Sequence, residues 1–217
     1  MLMKSCRPVQ RLAPRAWLIF IILALMLPLA ERRLVRAFIQ TFVVPTGGMA
    51  PTIQGRVTRE NGKESGGDRL WVEKYAYWLA EPRRGDIVVF TTTGISASLP
   101  ADQYYVKRVV GIPGDVLTIR ERRLLNHGKP VAEPAVVAEL VITNPPGVNP
   151  ALLPSPDTPR AADSASGLRL PPGHCFVMGD NTGNSFDSRI WGTVPKSNIL
   201  GRVSKLYWPL DRAGRIY

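Results

Sequence analysis

Lys107 lies in the stretch Tyr104–Asp115, YYVKRVVGIPGD, with Val106 before it and Val109-Val110 after Arg108. A lysine works as a general base only when neutral, which requires that it be desolvated and kept away from carboxylates. To act on an acyl carbon it must also touch a hydroxyl on a turn, and that turn must offer a backbone N–H to the developing oxyanion. Strand alternation puts Lys107 on the face of Tyr105 and Val109, opposite Val106 and Arg108, an apolar setting that would lower its pKa. Taken alone, a lysine in such a strand is more often a solvated edge residue. The neighbouring segments Phe42–Ile53, FVVPTGGMAPTI, and Asp180–Pro195, DNTGNSFDSRIWGTVP, supply turns and hydroxyls in the same chain and favour the buried reading.

The elements that must position these residues read as mainly β. Twenty Pro and 19 Gly among 217 residues favour turn-rich β structure over a helical bundle, and 45% hydrophobic residues suffice for an ordinary core. Short runs at Leu70–Val72, Asp86–Phe90, Tyr104–Val110 and Val116–Ile119 are separated by Gly/Pro turns. Leu125–Lys129 reads as a hairpin turn, with Gly128 free to take positive φ. Residues 144–167 are rich in Pro, Ser and Ala without apolar periodicity and read as a surface excursion.

At the N-terminus, residues 1–37 form a basic tail and an uncharged apolar run, Ala16–Ala30. The run is shorter than the roughly 20 residues a spanning helix usually needs, a deficit that Arg15, Arg32 and Arg33 can reduce by snorkelling. A cleavable signal peptide is the rival reading, but Pro28-Leu29-Ala30 does not form a small-x-small cleavage site. A buried core helix fits poorly beside so basic a tail. The expectation is one transmembrane helix followed by a β domain over 38–217. The positive-inside rule favours, by a small margin, a cytoplasmic N-terminus and an extracytoplasmic main domain.

The net charge of +11 is concentrated partly at Lys4, Arg7, Arg11, Arg15, Arg32, Arg33 and Arg36, around the apolar run. Attraction to anionic lipid accounts for that placement, and no aromatic-interleaved basic module points to nucleic acid. Cys6 and Cys175 do not make a disulfide framework, and a membrane span between them would keep them apart. His127 and His174 stand alone without zinc spacing. No cofactor and no metal are expected.

Four segments in order, Pro45–Ile53, Arg83–Phe90, Tyr104–Asp115 and Gly179–Pro195, resemble the type I signal peptidases, the membrane Ser/Lys-dyad endopeptidases. The resemblance covers nearly the whole chain apart from residues 144–167, and its last segment is highly specific. It implies a signal-peptidase-like antiparallel β-sheet domain on the outer side of the cytoplasmic membrane that removes signal peptides from translocated precursor proteins. Lys107 then matches the general base, Ser185 the serine that hydrogen-bonds and orients it, and Asp187 with Arg189 a supporting ion pair. Thr46 stands where the family has a hydroxyl in the oxyanion hole, and the N–H of residue 48 supplies the other donor. Asp180, Asn181 and Asn184 would shape their loop by side-chain-to-backbone bonds. The substrate would add a strand beside Phe42–Thr46 and Tyr105–Lys107, with Val44 and Val106 lining pockets for small residues. Within the same resemblance, the Arg84–Asp86 triplet belongs to the second segment and is not an adhesion signal.

The nucleophilic serine of that pattern falls on Gly48, which has no side-chain oxygen and cannot form an acyl-enzyme. In Ser-His-Asp enzymes, losing the nucleophile leaves roughly 10³–10⁴-fold catalysis over water. The sequence leaves four explanations open: a non-catalytic binder of signal-peptide-like segments or regulator of an active paralogue; another nucleophile, Thr46 or Ser185; direct attack by water; or a recent, engineered or miscalled change at this codon.

Overall fold

The computed structural model describes residues 37–56, 62, 66–143 and 167–216. The chain divides into two units, 1–38 and 39–217, and every described strand belongs to the second. The apolar run 16–30 and the expected excursion 144–167, apart from Gly167, lie outside the described residues. Among the described residues, no helix is long and apolar enough to cross a membrane.

β3 (Ile87–Thr91) explains the architecture best. Its residues Ile87 to Phe90 are all buried, as expected of a central strand covered on both faces. Val88 and Phe90 enter a core with Val109, Val177 and Trp191, while Ile87 and Val89 enter another with Val44, Met49, Ile53, Leu70 and Val72. The period-2 alternation of side chains divides one strand between two hydrophobic clusters.

Around β3 the strands β1 (Ile39–Val43), β2 (Arg69–Glu73), β11 (Ile199–Trp208), β4 (Tyr104–Gly111), β9 (His174–Met178) and β10 (Val194–Pro195) form one antiparallel sheet. Its order is β1-β2-β11-β3-β4-β9-β10, and β12 (Gly214–Arg215) pairs with β11. A second antiparallel sheet, in the order β7-β6-β5-β8, joins β7 (Lys129–Pro130), β6 (Arg123–Asn126), β5 (Val116–Arg120) and β8 (Leu168–Arg169). It packs a third cluster, including Leu117, Leu124 and Leu170, against Val110, Phe176 and Met178. The expected β runs lie on strands apart from Asp86, which precedes β3. The hairpin turn also falls as expected, with φ of 50° at His127 and 76° at Gly128 between paired Asn126 and Lys129.

Two features of the sheet position the site. β4 pairs with β3 over Tyr104–Arg108 but with β9 only from Arg108 onward. Tyr104–Lys107 therefore keeps one open edge among the described residues. β1 pairs with β2 on one side, which leaves its other edge open in the same sense.

Candidate active site

The chain leaves β1 into a turn whose bonds run from the Ala50 N–H to the Gly47 carbonyl (3.1 Å) and from the Ile53 N–H to the Met49 carbonyl (2.9 Å). Met49 and Ile53 are fully buried beneath it. Burying side chains of that size contributes about 1.5–3 kcal/mol each, so the turn carrying Gly48 is anchored rather than free. On the far side, Arg212 donates to the carbonyls of Pro51 and Thr52, both at 3.3 Å.

A cleft of about 550 Å³ opens beside this turn, lined by Val44–Met49, Gln103–Lys107, Asn184–Phe186 and Ile190. It runs along the open edge of β4, which is why Val106 and Lys107, on opposite faces of the strand, both line it. Six of the site residues expected from the sequence thus meet in one place: Val44, Thr46, Gly48, Val106, Lys107 and Ser185. Phe42 and Tyr104 stack edge-to-face at 5.3 Å and tie β1 to β4.

Lys107 is 7% exposed and has no ion pair or hydrogen bond among the described residues. Burial lowers its pKa as the largest effect. Asp187 and Asp180 pull it up and Arg189 pushes it down. The two carboxylates do not claim the lysine because each is already matched. Asp187 takes Arg189 through Nε (2.8 Å) and Nη2 (2.9 Å). Asp180 takes the fully buried Arg108 through Nε (2.8 Å) and Nη2 (2.7 Å). Such bidentate pairs are the strongest charge-assisted arrangement a carboxylate finds.

The loop after β9 is braced by the same groups. Asp187 accepts from the Gly179 N–H at 3.0 Å and caps the helical turn Ser188–Trp191. Arg189 also donates to the carbonyls of Thr143 (2.7 Å) and Thr182 (2.6 Å). Asn181 reaches across to the Gly48 turn, its backbone N–H to the Gly48 carbonyl (3.2 Å) and its Nδ2 to the Gly47 carbonyl (3.1 Å). A Cβ on Gly179 would lie 2.2 Å from the Gly48 oxygen and from Ser185 Oγ, so this close approach requires glycine.

Gly48 is different. Its φ is not in the left-handed region, and a Cβ there would meet Lys107 Nζ at 3.1 Å, the Asn184 carbonyl oxygen at 3.5 Å and Ser185 Oγ at 3.8 Å. Neither backbone strain nor crowding by backbone demands a glycine. No backbone hydrogen bond uses the Gly48 N–H among the described residues, and Gly48 lines the cleft. Thr46 is exposed on the rim of the same cleft.

Two expectations need correcting. Ser185 Oγ is buried without a hydrogen-bond partner, so no bond joins it to Lys107. With no side chain at residue 48, both groups point to the same space instead of being linked. Asp180 does not shape its loop by bonding backbone but pairs with Arg108. The Arg108–Asp180 pair escapes sequence reasoning although both residues sit inside family-like segments, because a separation of 72 positions gives no local signal. Arg84–Asp86 is structural. Arg84 pairs with Asp115 at 2.7 Å and Asp86 accepts from the Tyr77 hydroxyl at 2.8 Å.

A buried lysine without a counterion, the Gly48 turn and two strand edges open among the described residues thus meet at one cleft. Comparison with known proteins identifies the family. The family model described as "Signal peptidase, peptidase S26" matches residues 14–208. The signal peptidase I of Leptolyngbya laminosa is 34% identical over 186 residues, covering 82% of this chain and 75% of that protein. The probable signal peptidase I-2 of Synechocystis is 32% identical over 181 residues, covering 81% and 68%. A crystal structure of a signal peptidase I from Enterococcus faecalis has 26% identity and a TM-score of 0.40, covering 58% of this chain and 98% of that one. The chain belongs to the signal peptidase family S26, a family of serine-type endopeptidases.

Proposed function

We propose that this chain is a signal peptidase I-like endopeptidase that removes N-terminal signal peptides from translocated precursors, with Lys107 as general base. The observation that carries this reading is the placement of Lys107 Nζ. It is buried, without a counterion, and 3.1 Å from where the side chain of residue 48 would begin. The precursor lies extended between the open edges of β1 and β4 and hydrogen-bonds both strands. Val44 and Val106 line pockets that select alanine-sized side chains at the −1 and −3 positions. The Gly48 N–H and the Thr46 hydroxyl hold the carbonyl oxygen as it gains charge. Ser185 sits behind the lysine, and the Asp187–Arg189 pair braces the loop that carries it. Residues 1–37 anchor the chain to the cytoplasmic membrane in a single pass, with residues 38–217 on the extracytoplasmic side. The partners are signal peptides and membrane lipid, and neither nucleic acid nor a cofactor takes part.

A second reading is favoured by Gly48 itself: a non-catalytic binder of signal-peptide-like segments, or a regulatory partner of an active paralogue. One assay separates the two. The purified full-length protein is incubated in detergent with a precursor peptide containing Ala-x-Ala, alongside Gly48→Ser and Lys107→Ala. Cleavage after the second alanine by the unaltered chain, absent in Lys107→Ala, is the expected result. Binding without cleavage by the unaltered chain establishes the second reading.

A further inference from the structure

Three polar atoms converge on the point where a side chain at residue 48 would start. Lys107 Nζ lies 3.1 Å from it, the Asn184 carbonyl oxygen 3.5 Å and Ser185 Oγ 3.8 Å. Ser185 is 2% exposed, and its hydroxyl has no hydrogen-bond partner. A buried hydroxyl left unsatisfied is costly, so such groups ordinarily have a partner. A guest oxygen needs room and about two to four polar partners. Three polar atoms border the space beside Gly48, and their residues also line the cleft where the peptide would lie.

We propose that this space is a site for one small hydroxylic nucleophile, water or a short primary alcohol, which Lys107 deprotonates for direct attack on the acyl carbon. The proposal rests on the endopeptidase reading and specifies what replaces the missing serine oxygen. As the guest oxygen bonds to the carbonyl carbon, its proton passes to Lys107 Nζ. The carbonyl π electrons move onto oxygen, facing the Gly48 N–H. The C–N bond then breaks, and the departing amine takes the proton from the Lys107 ammonium. Water gives a carboxylic acid and a free amine; an alcohol gives an ester and the same amine. No acyl-enzyme forms.

The two hydroxyls already present serve less well. Ser185 is 2% exposed, and its Oγ packs so closely on Gly179 that a Cβ there would come within 2.2 Å of it. Thr46 is exposed on the rim, two residues from the point that Lys107 addresses.

The test uses the full-length protein, a peptide containing Ala-x-Ala, and increasing methanol. The unaltered chain is expected to cleave slowly and to release a methyl ester fraction that rises with methanol. The intact mass of the chain, quenched during turnover, should stay unacylated. Gly48→Ala fills the space without supplying oxygen, and should lower cleavage by about 10²-fold or more, the scale of a general-base contribution. An acylated wild-type chain, or Gly48→Ala equal to the unaltered protein, overturns the proposal while leaving the endopeptidase reading intact. An inert unaltered chain when Gly48→Ser cleaves overturns both the proposal and the endopeptidase reading of the unaltered chain, in favour of the non-catalytic one. If Gly48→Ser is also inert and neither chain binds the peptide, the endopeptidase reading falls and takes this proposal with it.

Discussion

Lys107 is the residue whose environment has the clearest measurable consequence. Burial lowers its pKa in the folded chain, so between the folded and the unfolded value the unfolded state binds more protons. Stability contributed at this site therefore rises with pH through that window, and the cost of the lysine is greatest below the folded value. Lys107→Met should be more stable than the unaltered protein at neutral and lower pH. The gap should close as pH approaches the ordinary lysine value. Chemical denaturation of both chains across pH checks this, and a gap that does not change with pH would refute it. Cleavage should rise with pH through the lowered pKa, since only the neutral amine accepts a proton. Gly48 gives a second prediction at this scale. Its backbone suits any residue, and the nearest obstacle is the flexible tip of Lys107. Replacing glycine where the backbone permits stabilises by about 0.4–1 kcal/mol through the unfolded chain. Gly48→Ser should therefore unfold at the same or a slightly higher temperature; a clear drop would show a packing demand that the geometry does not contain.

At the scale of elements, the loop between β9 and the Ser188–Trp191 turn determines whether the Gly48 turn stays in place. Gly179 touches both, and Gly179→Ala would drive a methyl into the Gly48 carbonyl and Ser185 Oγ. Overpacking of this kind costs about 1–3 kcal/mol, occasionally more, and should reduce peptide cleavage by Gly48→Ser together with stability. Asp180→Asn should be harsher. It removes a carboxylate charge that pairs with the fully buried Arg108, and breaking a buried ion pair costs about 3–5 kcal/mol by thermal or denaturant unfolding. Much of this architecture is legible in the sequence. The apolar alternation and Gly/Pro punctuation locate β2 to β5, and Asn126-His127-Gly128-Lys129 marks the hairpin because positive φ at His127 and Gly128 is a local requirement. The strand order is not legible, because β11 inserts between β2 and β3 from more than 100 residues away. The two arginine–aspartate pairs show the same division. Asp187–Arg189 spans two residues inside one family-like segment and comes with the resemblance, whereas Arg108–Asp180 spans 72 and does not. Local chemistry can be read along the chain; partners chosen by the sheet cannot. The missing Ser185–Lys107 bond belongs to the second kind, since the two residues lie 78 positions apart on different elements.

For the whole molecule, every residue lining the cleft comes from the unit 39–217, and that unit contains all three hydrophobic clusters. The candidate site and the fold that supports it are thus internal to one unit among the described residues. The cationic tail and the apolar run belong to the other, where Lys4, Arg7, Arg11, Arg15, Arg32, Arg33 and Arg36 supply seven positive charges around an uncharged stretch. The two units differ in composition: one buries a lysine in a β fold, and the other combines an uncharged apolar run with a cluster of cations, as a membrane anchor would. Deleting residues 1–37 should therefore separate the two properties. The shortened protein should leave the membrane fraction, unfold cooperatively near the temperature of the full chain, and process a short soluble Ala-x-Ala peptide with unchanged kcat/KM. A membrane-embedded precursor should be processed more slowly, because anchoring raises the effective concentration of cleft and substrate. Fractionation, thermal unfolding and the two substrates together decide the matter. Loss of cooperative unfolding, or an equal loss on both substrates, would mean that the N-terminal unit completes the fold of the cleft.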